Sequence, residues 1–178
     1  MAGSSARNRS GWHNLGLLEV GAIVSLGATL LAVAVPTFAR EVHRSRFVEA
    51  VDGLNRIGAA AVAYAADRPV AQAFPPVAPL TPTVPPRGRC EPDPAGTWDG
   101  PTWTALAFQP APPGVPHCFA FGFDSALSAT HSTFRAHAHA DLDGDGVPST
   151  FEITGRSVAG DAHGAALDRG MYVDSEVE

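Results

Sequence analysis

Between residues 141 and 152 three aspartates alternate with small or apolar residues, in the order Asp141-Leu142-Asp143-Gly144-Asp145-Gly146-Val147-Pro148-Ser149-Thr150-Phe151-Glu152. That spacing suits a hard divalent cation. Calcium takes six to eight oxygens at about 2.3–2.6 Å from carboxylates and carbonyls on a flexible loop. Asp141, Asp143 and Asp145 can each turn a carboxylate inward, and Gly146 allows a sharp turn. Val147 can offer its carbonyl, Ser149 a hydroxyl or a water, and Glu152 a bidentate carboxylate. The run fits the pattern D-x-[DN]-x-[DN]-G-x5-E at every position. Its flanks do not match an EF-hand. Both sides read as strands, and Pro148 and Gly155 oppose a long exit helix. The expectation is a calcium loop set between two strands, with the ion pinning the hairpin. The competing expectation is an acidic turn without metal, although three neighbouring carboxylates repel one another when empty.

Other reactive residue types are sparse. Cys90 and Cys118 lie 28 positions apart with no Cys-x-x-Cys pair. Two sulfurs are too few for a zinc site and suit one disulfide in an oxidising compartment, the alternative being two buried thiols. A bridge would restrain about 29 residues, for roughly 3–4 kcal/mol in the chain-entropy description. His137 and His139 share one face of a strand with Arg135, a pair that could hold a metal but has no evident third ligand. His131 and His163 read as solvated. Serines and histidines are scattered without a nucleophile elbow, and there is no phosphate-binding glycine loop. No catalysis is expected. All twelve cations are Arg, and the formal charge is −6. From Glu41 onward 17 acids face 9 Arg. That balance argues against nucleic acid as a partner, since phosphate binding requires clustered cations.

The elements that would position these groups follow from the hydropathy pattern. Residues 1–14 are polar and basic, without an acid. Residues 15–39 are almost wholly apolar and, as a helix, would span about 37 Å against a hydrocarbon core of roughly 30 Å. One pass through a membrane is expected, with the short N-terminal tail inside and the bulky remainder exported. Glu19 interrupts the apolar run five residues in, where a carboxylate costs up to about 3 kcal/mol unless paired. Either it reaches water at the interface, or its partner is a positive group from another subunit.

Residues 40–68 continue the helix, with Phe47, Val51, Leu54, Ile57, Ala61 and Tyr64 forming an apolar stripe at spacings of three and four. Asp67-Arg68-Pro69 ends it. Residues 69–116 hold fourteen of the sixteen prolines, which excludes sheet interior. Trp98, Trp103, Leu106 and Phe108 favour an ordered surface loop there over a linker. Residues 117–178 read as antiparallel strands, HCFAFGFD, STFRAHAHAD, TFEITG and GMYVD, in which Phe119, Phe121 and Phe123 alternate with Cys118, Ala120 and Gly122, and Phe134, Ala136, Ala138 and Ala140 alternate with Arg135, His137, His139 and Asp141.

The stretch Asn14-Leu15-Gly16-Leu17-Leu18-Glu19 resembles the processing site of type IV pilins and pseudopilins. In that family a dedicated peptidase cuts before a chain whose fifth residue is Glu. A cut after Asn14 makes Leu15 first, Glu19 fifth and Pro36 twenty-second, where many members carry a helix-loosening proline. This chain departs from the family at Asn14, where Gly or Ala is usual. WTALAFQP and the DLDGDG loop followed by STF are similar to pilins of the deltaproteobacterial kind.

The resemblance implies an α+β fold, with a long N-terminal helix on a small antiparallel head. It also implies cleavage and methylation at Leu15 by a prepilin peptidase. An inner-membrane assembly platform would then build a filament of copies of this chain or other pilins, with Glu19 neutralising a neighbour's terminal amine. The inner membrane would hold the precursor, and a periplasmic or cell-surface filament would be the end state. A minor pilin, a major pilin and a type II secretion pseudopilin all fit. So does an uncleaved, membrane-anchored calcium-binding module.

Overall fold

A computed structural model describes residues 16–83, 88–162 and 164–174. The chain divides into two compact units, residues 1–42 and 43–178. One helix, α1 (Leu17–Ala65, 49 residues), contributes to both.

In the first unit α1 is apolar and its described side chains are exposed. The stretch Leu17–Val35 is long and apolar enough to cross a bilayer, with a mean hydropathy of 2.1. As a lone N-terminal helix it suits a membrane anchor or a signal sequence. The Thr29 hydroxyl donates to the Ser25 carbonyl at 2.8 Å, which satisfies a polar group on this segment from within the helix.

The second unit has an α+β architecture. After α1 come a short 3-10 turn (Val70–Gln72), β1 (Ala78–Thr81), α2 (Pro101–Ala105), β2 (Ala120–Ala126), β3 (His131–Ala140), β4 (Ser149–Val158), β5 (Ala166–Leu167) and β6 (Tyr172–Asp174). The strands form one antiparallel sheet in the order β1-β2-β3-β4, with β5 and β6 both pairing with β4. β1 lies at the sheet edge, where a proline-rich strand loses little by lacking N–H donors.

The period-two pattern of β2 to β4 places Phe121, Phe123, Phe134, Ala136, Ala138, Phe151 and Ile153 in the core with Phe119. Leu54, Ile57 and Ala61 of α1 are fully buried with them. The expected helical stripe needs one correction. Val51 lies exposed, and the buried face runs instead through Ala50, Gly53, Leu54, Ile57, Gly58, Ala61 and Ala65. The physical reason is close approach. A Cβ on Gly53 would lie 2.5 Å from the Phe121 ring, and one on Gly58 would lie 2.8 Å from Ile153 and 2.9 Å from Leu167. Small residues, not large ones, define where this helix meets the sheet.

Glu49 supplies a second tie. Its carboxylate accepts the backbone N–H of Cys118 at 2.9 and 3.0 Å and that of Phe119 at 2.9 Å, anchoring the entry to β2 on α1. Burial pushes this carboxyl above its ordinary value, while the two N–H donors oppose the shift.

The proline-rich region is ordered where it is described. Trp98, Trp103 and Phe108 pack edge-on or tilted at 5.2–5.7 Å, and Phe108 meets Phe121 at 5.2 Å. Both indole N–H groups are satisfied, Trp98 by Asp93 at 2.6 Å and Trp103 by the Thr81 hydroxyl at 3.0 Å. Arg56 of α1 lies over the Phe108 ring at 5.2 Å and donates to the Gln109 carbonyl at 2.8 Å.

Gly53→Ala tests the close approach directly. Alanine would gain about 1 kcal/mol of helix propensity on an open surface. Against the confined Phe121 ring, overpacking of about 1–3 kcal/mol should prevail. Denaturant unfolding of the full chain in detergent, followed by tryptophan fluorescence, is expected to show a net loss of stability. A variant as stable as the parent would disprove the tight apposition.

Candidate metal centre

The turn between β3 and β4 is built by the aspartates themselves. Asp141 accepts the N–H of Gly144 at 2.8 Å on one carboxylate oxygen and that of Gly146 at 3.1 Å on the other. Asp143 accepts from the Asp145 N–H at 3.1 Å, and Asp145 from the Val147 N–H at 2.7 Å. Such short-range side-chain acceptors are why Asp favours turns. Gly144 and Gly146 adopt φ of 84° and 97°, a left-handed conformation that costs glycine little.

These turns gather the three carboxylates. Ligand oxygens of Asp141, Asp143 and Asp145 lie within 4.8 Å of one another, with Asp141 buried at 5 % exposure and the other two exposed. A carboxylate offers about four lone-pair sites, and Asp143 and Asp145 lie exposed, where they can accept more than one donor. The group can therefore hold a metal ion, and an all-oxygen donor set suits a hard cation.

The other proposed ligands fall in different places. Val147 is exposed in the loop, with its N–H held by Asp145. Ser149 is fully buried as the first residue of β4, opposite Ala140. Glu152 is not among the gathered carboxylates. It lies three residues along β4, opposite His137, and pairs with Arg135 at 3.5 Å. The reason is the exit element: a strand advances about 3.3 Å per residue away from the loop, whereas an EF-hand's exit helix would bring this position back.

A contact that the sequence did not suggest buttresses the loop. The Gly88 N–H donates to the Asp141 carbonyl at 2.7 Å, and a Cβ on Gly88 would lie 3.8 Å from the Asp143 carbonyl oxygen. Two residues on, Cys90 is bonded to Cys118. The bridge is flanked by a backbone pairing of Glu91 with His117. The His117 ring, only 3 % exposed, contacts the Asp93 carboxylate at 2.5 Å and the Phe119 carbonyl at 2.9 Å. Asp93 and His117 are 24 positions apart, and no local pattern links them.

At the other end of the chain, Asn14 and Leu15 lie outside the described residues. Glu19 sits in the first turn of α1, and its carboxylate accepts the Gly16 N–H at 2.9 Å. That contact caps one of the donors a helix start leaves unpaired. Pro36 lies within α1. Among the described residues, His137 and His139 are not gathered with a carboxylate as the aspartates are. No protein-family model, curated protein or solved structure matches this chain.

Two outcomes follow from this geometry. A metal ion held by the three carboxylates would stabilise the fold, so titrating a hard divalent cation, with Ca2+ as the probe, into the metal-free full chain should raise its melting temperature; at a hundred times the dissociation constant the linkage is about 2.7 kcal/mol. Asp143→Asn should weaken that response at least roughly tenfold in calcium concentration, because it removes a charged ligand from an exposed position. An unchanged response would place the ion elsewhere.

Acid should act through the histidines. Burial chiefly holds His137 and His139 below their ordinary value, so the unfolded chain binds more protons near and below 6.5. Their contribution is complete above that pH and lost as the pH falls. Thermal melts in metal-free buffer should show stability declining from about pH 7 to about pH 5.5, with a shallower slope in His137→Gln.

Proposed function

We propose that this chain is a structural subunit of a type IV pilus-like filament, a minor or major pilin, and not an enzyme. The single observation that carries the proposal is the helix Leu17–Ala65. One element supplies an exposed apolar segment of membrane-spanning length and, further on, the buried spine of a small antiparallel head. A subunit extracted from a bilayer into a helical polymer needs both in one element, since the apolar half must be covered first by lipid and then by its neighbours.

In this reading residues 1–14 are a leader, removed after Asn14 by a prepilin peptidase that methylates Leu15. The precursor waits in the inner membrane with its head in the periplasm, and an inner-membrane platform moves it into the filament. Glu19 then pairs with the terminal amine of an adjacent copy or of another pilin. Calcium in the Asp141, Asp143 and Asp145 loop pins the β3–β4 turn, and the Cys90–Cys118 bridge ties the proline-rich region to β2. A type II secretion pseudopilin would use the same parts.

A second reading, an uncleaved membrane-anchored calcium module, is favoured by one contact. The Glu19 carboxylate already serves the Gly16 N–H, which accounts for an acid at this depth without a neighbouring subunit.

Intact-mass measurement on membrane and sheared surface fractions separates the two. Loss of residues 1–14 with one added methyl group is expected. A chain retaining its leader in every fraction would remove the filament reading. Glu19→Ala should leave membrane levels unchanged and reduce filament incorporation at least roughly tenfold, an unpaired terminal amine in the apolar bundle being costly.

A further inference from the structure

The Cys90–Cys118 bridge joins two sulfurs in unlike surroundings. Cys118 is 5 % exposed and lies between His117 and Phe119, both buried. Its backbone N–H is held by the Glu49 carboxylate of α1, and the residue is part of the packed core. Cys90 is only half-buried and sits in the proline-rich region, where its neighbours Arg89 and Glu91 are both exposed. One end of the bridge therefore meets solvent and the other does not.

We propose that Cys90 is the sulfur that exchanges with a thiol–disulfide oxidoreductase, and that Cys118 is the resolving sulfur that completes the bridge.

Access sets the order. Thiol–disulfide exchange passes through a mixed disulfide, and a partner's sulfur must reach the one it joins. A second protein can approach Cys90 from solvent. To reach Cys118 it would have to displace the entry to β2, which Glu49 fixes through the N–H groups of Cys118 and Phe119.

Non-covalent pairing supplies the second step. Glu91 and His117 exchange both backbone hydrogen bonds, at 3.1 and 3.2 Å, one residue after Cys90 and one before Cys118. The His117 ring also contacts the Asp93 carboxylate at 2.5 Å. On the other side of Cys90 the Gly88 N–H is bound to the Asp141 carbonyl at 2.7 Å. None of these contacts involves sulfur, so they hold the Cys90 segment beside Cys118 without the S–S bond. A thiol so held attacks at a high effective concentration, and a mixed disulfide on Cys90 is short-lived.

Two exchanges balance the electrons. The Cys90 thiolate attacks the oxidant's disulfide, a bond from Cys90 to one oxidant sulfur forms, and the other oxidant sulfur leaves as a thiolate. Cys118, as its thiolate, then attacks the Cys90 sulfur and expels the remaining oxidant sulfur. Two chain thiols are oxidised by two electrons and one oxidant disulfide is reduced, with the two thiol protons passing through water to the departing sulfurs. In an exported head, the location proposed above, the oxidant is a protein carrying a reactive disulfide. The compartment rests on that reading, and the order of the two sulfurs does not.

The test uses the full chain in detergent, reduced, freed of reductant and kept folded, with dithiobis(nitrobenzoate) as the disulfide probe. Cys118→Ala should release one thionitrobenzoate per chain and keep a mixed disulfide on Cys90. Cys90→Ala should react at least roughly tenfold more slowly, and the two variants should react alike in denaturant. The reduced parent should release two thionitrobenzoates and retain no adduct by intact mass. A brief pulse of iodoacetamide on the reduced parent gives a readout without mutation, and peptide mapping should find Cys90 labelled at least roughly tenfold above Cys118. Equal rates in the two folded variants, equal labelling of the two sulfurs, or a persistent adduct on the parent would overturn the proposal. No filament enters these readouts, so failure here leaves the filament reading standing, and loss of that reading leaves the order of the sulfurs to be decided by the same rates.

Discussion

The head depends on how closely one helix can approach one sheet. Three central strands present an apolar face of phenylalanine and alanine, and α1 covers it. Gly53 and Gly58 allow the backbone of α1 to sit against Phe121, Ile153 and Leu167 with no side chain between. Interiors pack at crystal-like density, so such a contact tolerates little change in volume. The Glu49 carboxylate adds direction to this contact, since it binds the first backbone donors of the β2 region and fixes where the sheet begins relative to the helix. Dispersion and hydrogen bonding thus act on the same short length of α1.

The remaining parts of the head are attached to that pair of elements. The proline-rich region cannot make ladder hydrogen bonds, so it is ordered by other means. A cluster of two tryptophans and Phe108 packs on Phe121, Arg56 holds two consecutive carbonyls, and a disulfide joins Cys90 to the start of β2. Through Gly88 the same region reaches the Asp141 carbonyl. The acidic turn is therefore braced from outside as well as folded from within. Such bracing reduces the ordering that cation binding would demand, because less of the loop remains to be fixed.

The two faces of the sheet divide the chemistry. Inward positions are apolar and satisfied. Outward positions carry a cross-strand ladder in which Asp124 meets Arg135, Gly122 and Glu152 flank His137, and Thr150 meets His139. Burial chiefly holds the His137 and His139 imidazoles on this face below their ordinary value, which makes the face responsive to acid. The aspartate turn at the end of the same two strands is all oxygen.

Much of this was legible in the sequence because it is governed by local rules. Period two separated the phenylalanines of β2 from their neighbours, apolar length marked the N-terminal helix, and Asp67-Arg68-Pro69 ended it. The aspartate spacing built its own turn, since those hydrogen bonds span no more than five residues. What the sequence could not decide depends on distance in space. The helical stripe centred on glycine rather than on Val51, because the criterion was the room left by Phe121. Glu152 left the loop because a strand rather than a helix followed it. The tie from Gly88 to Asp141, the pairing of His117 with Asp93, and the space over Gly122 that receives His137 each join residues far apart in the chain. Sequence periodicity determines which face a residue takes, and only tertiary packing decides what that face meets.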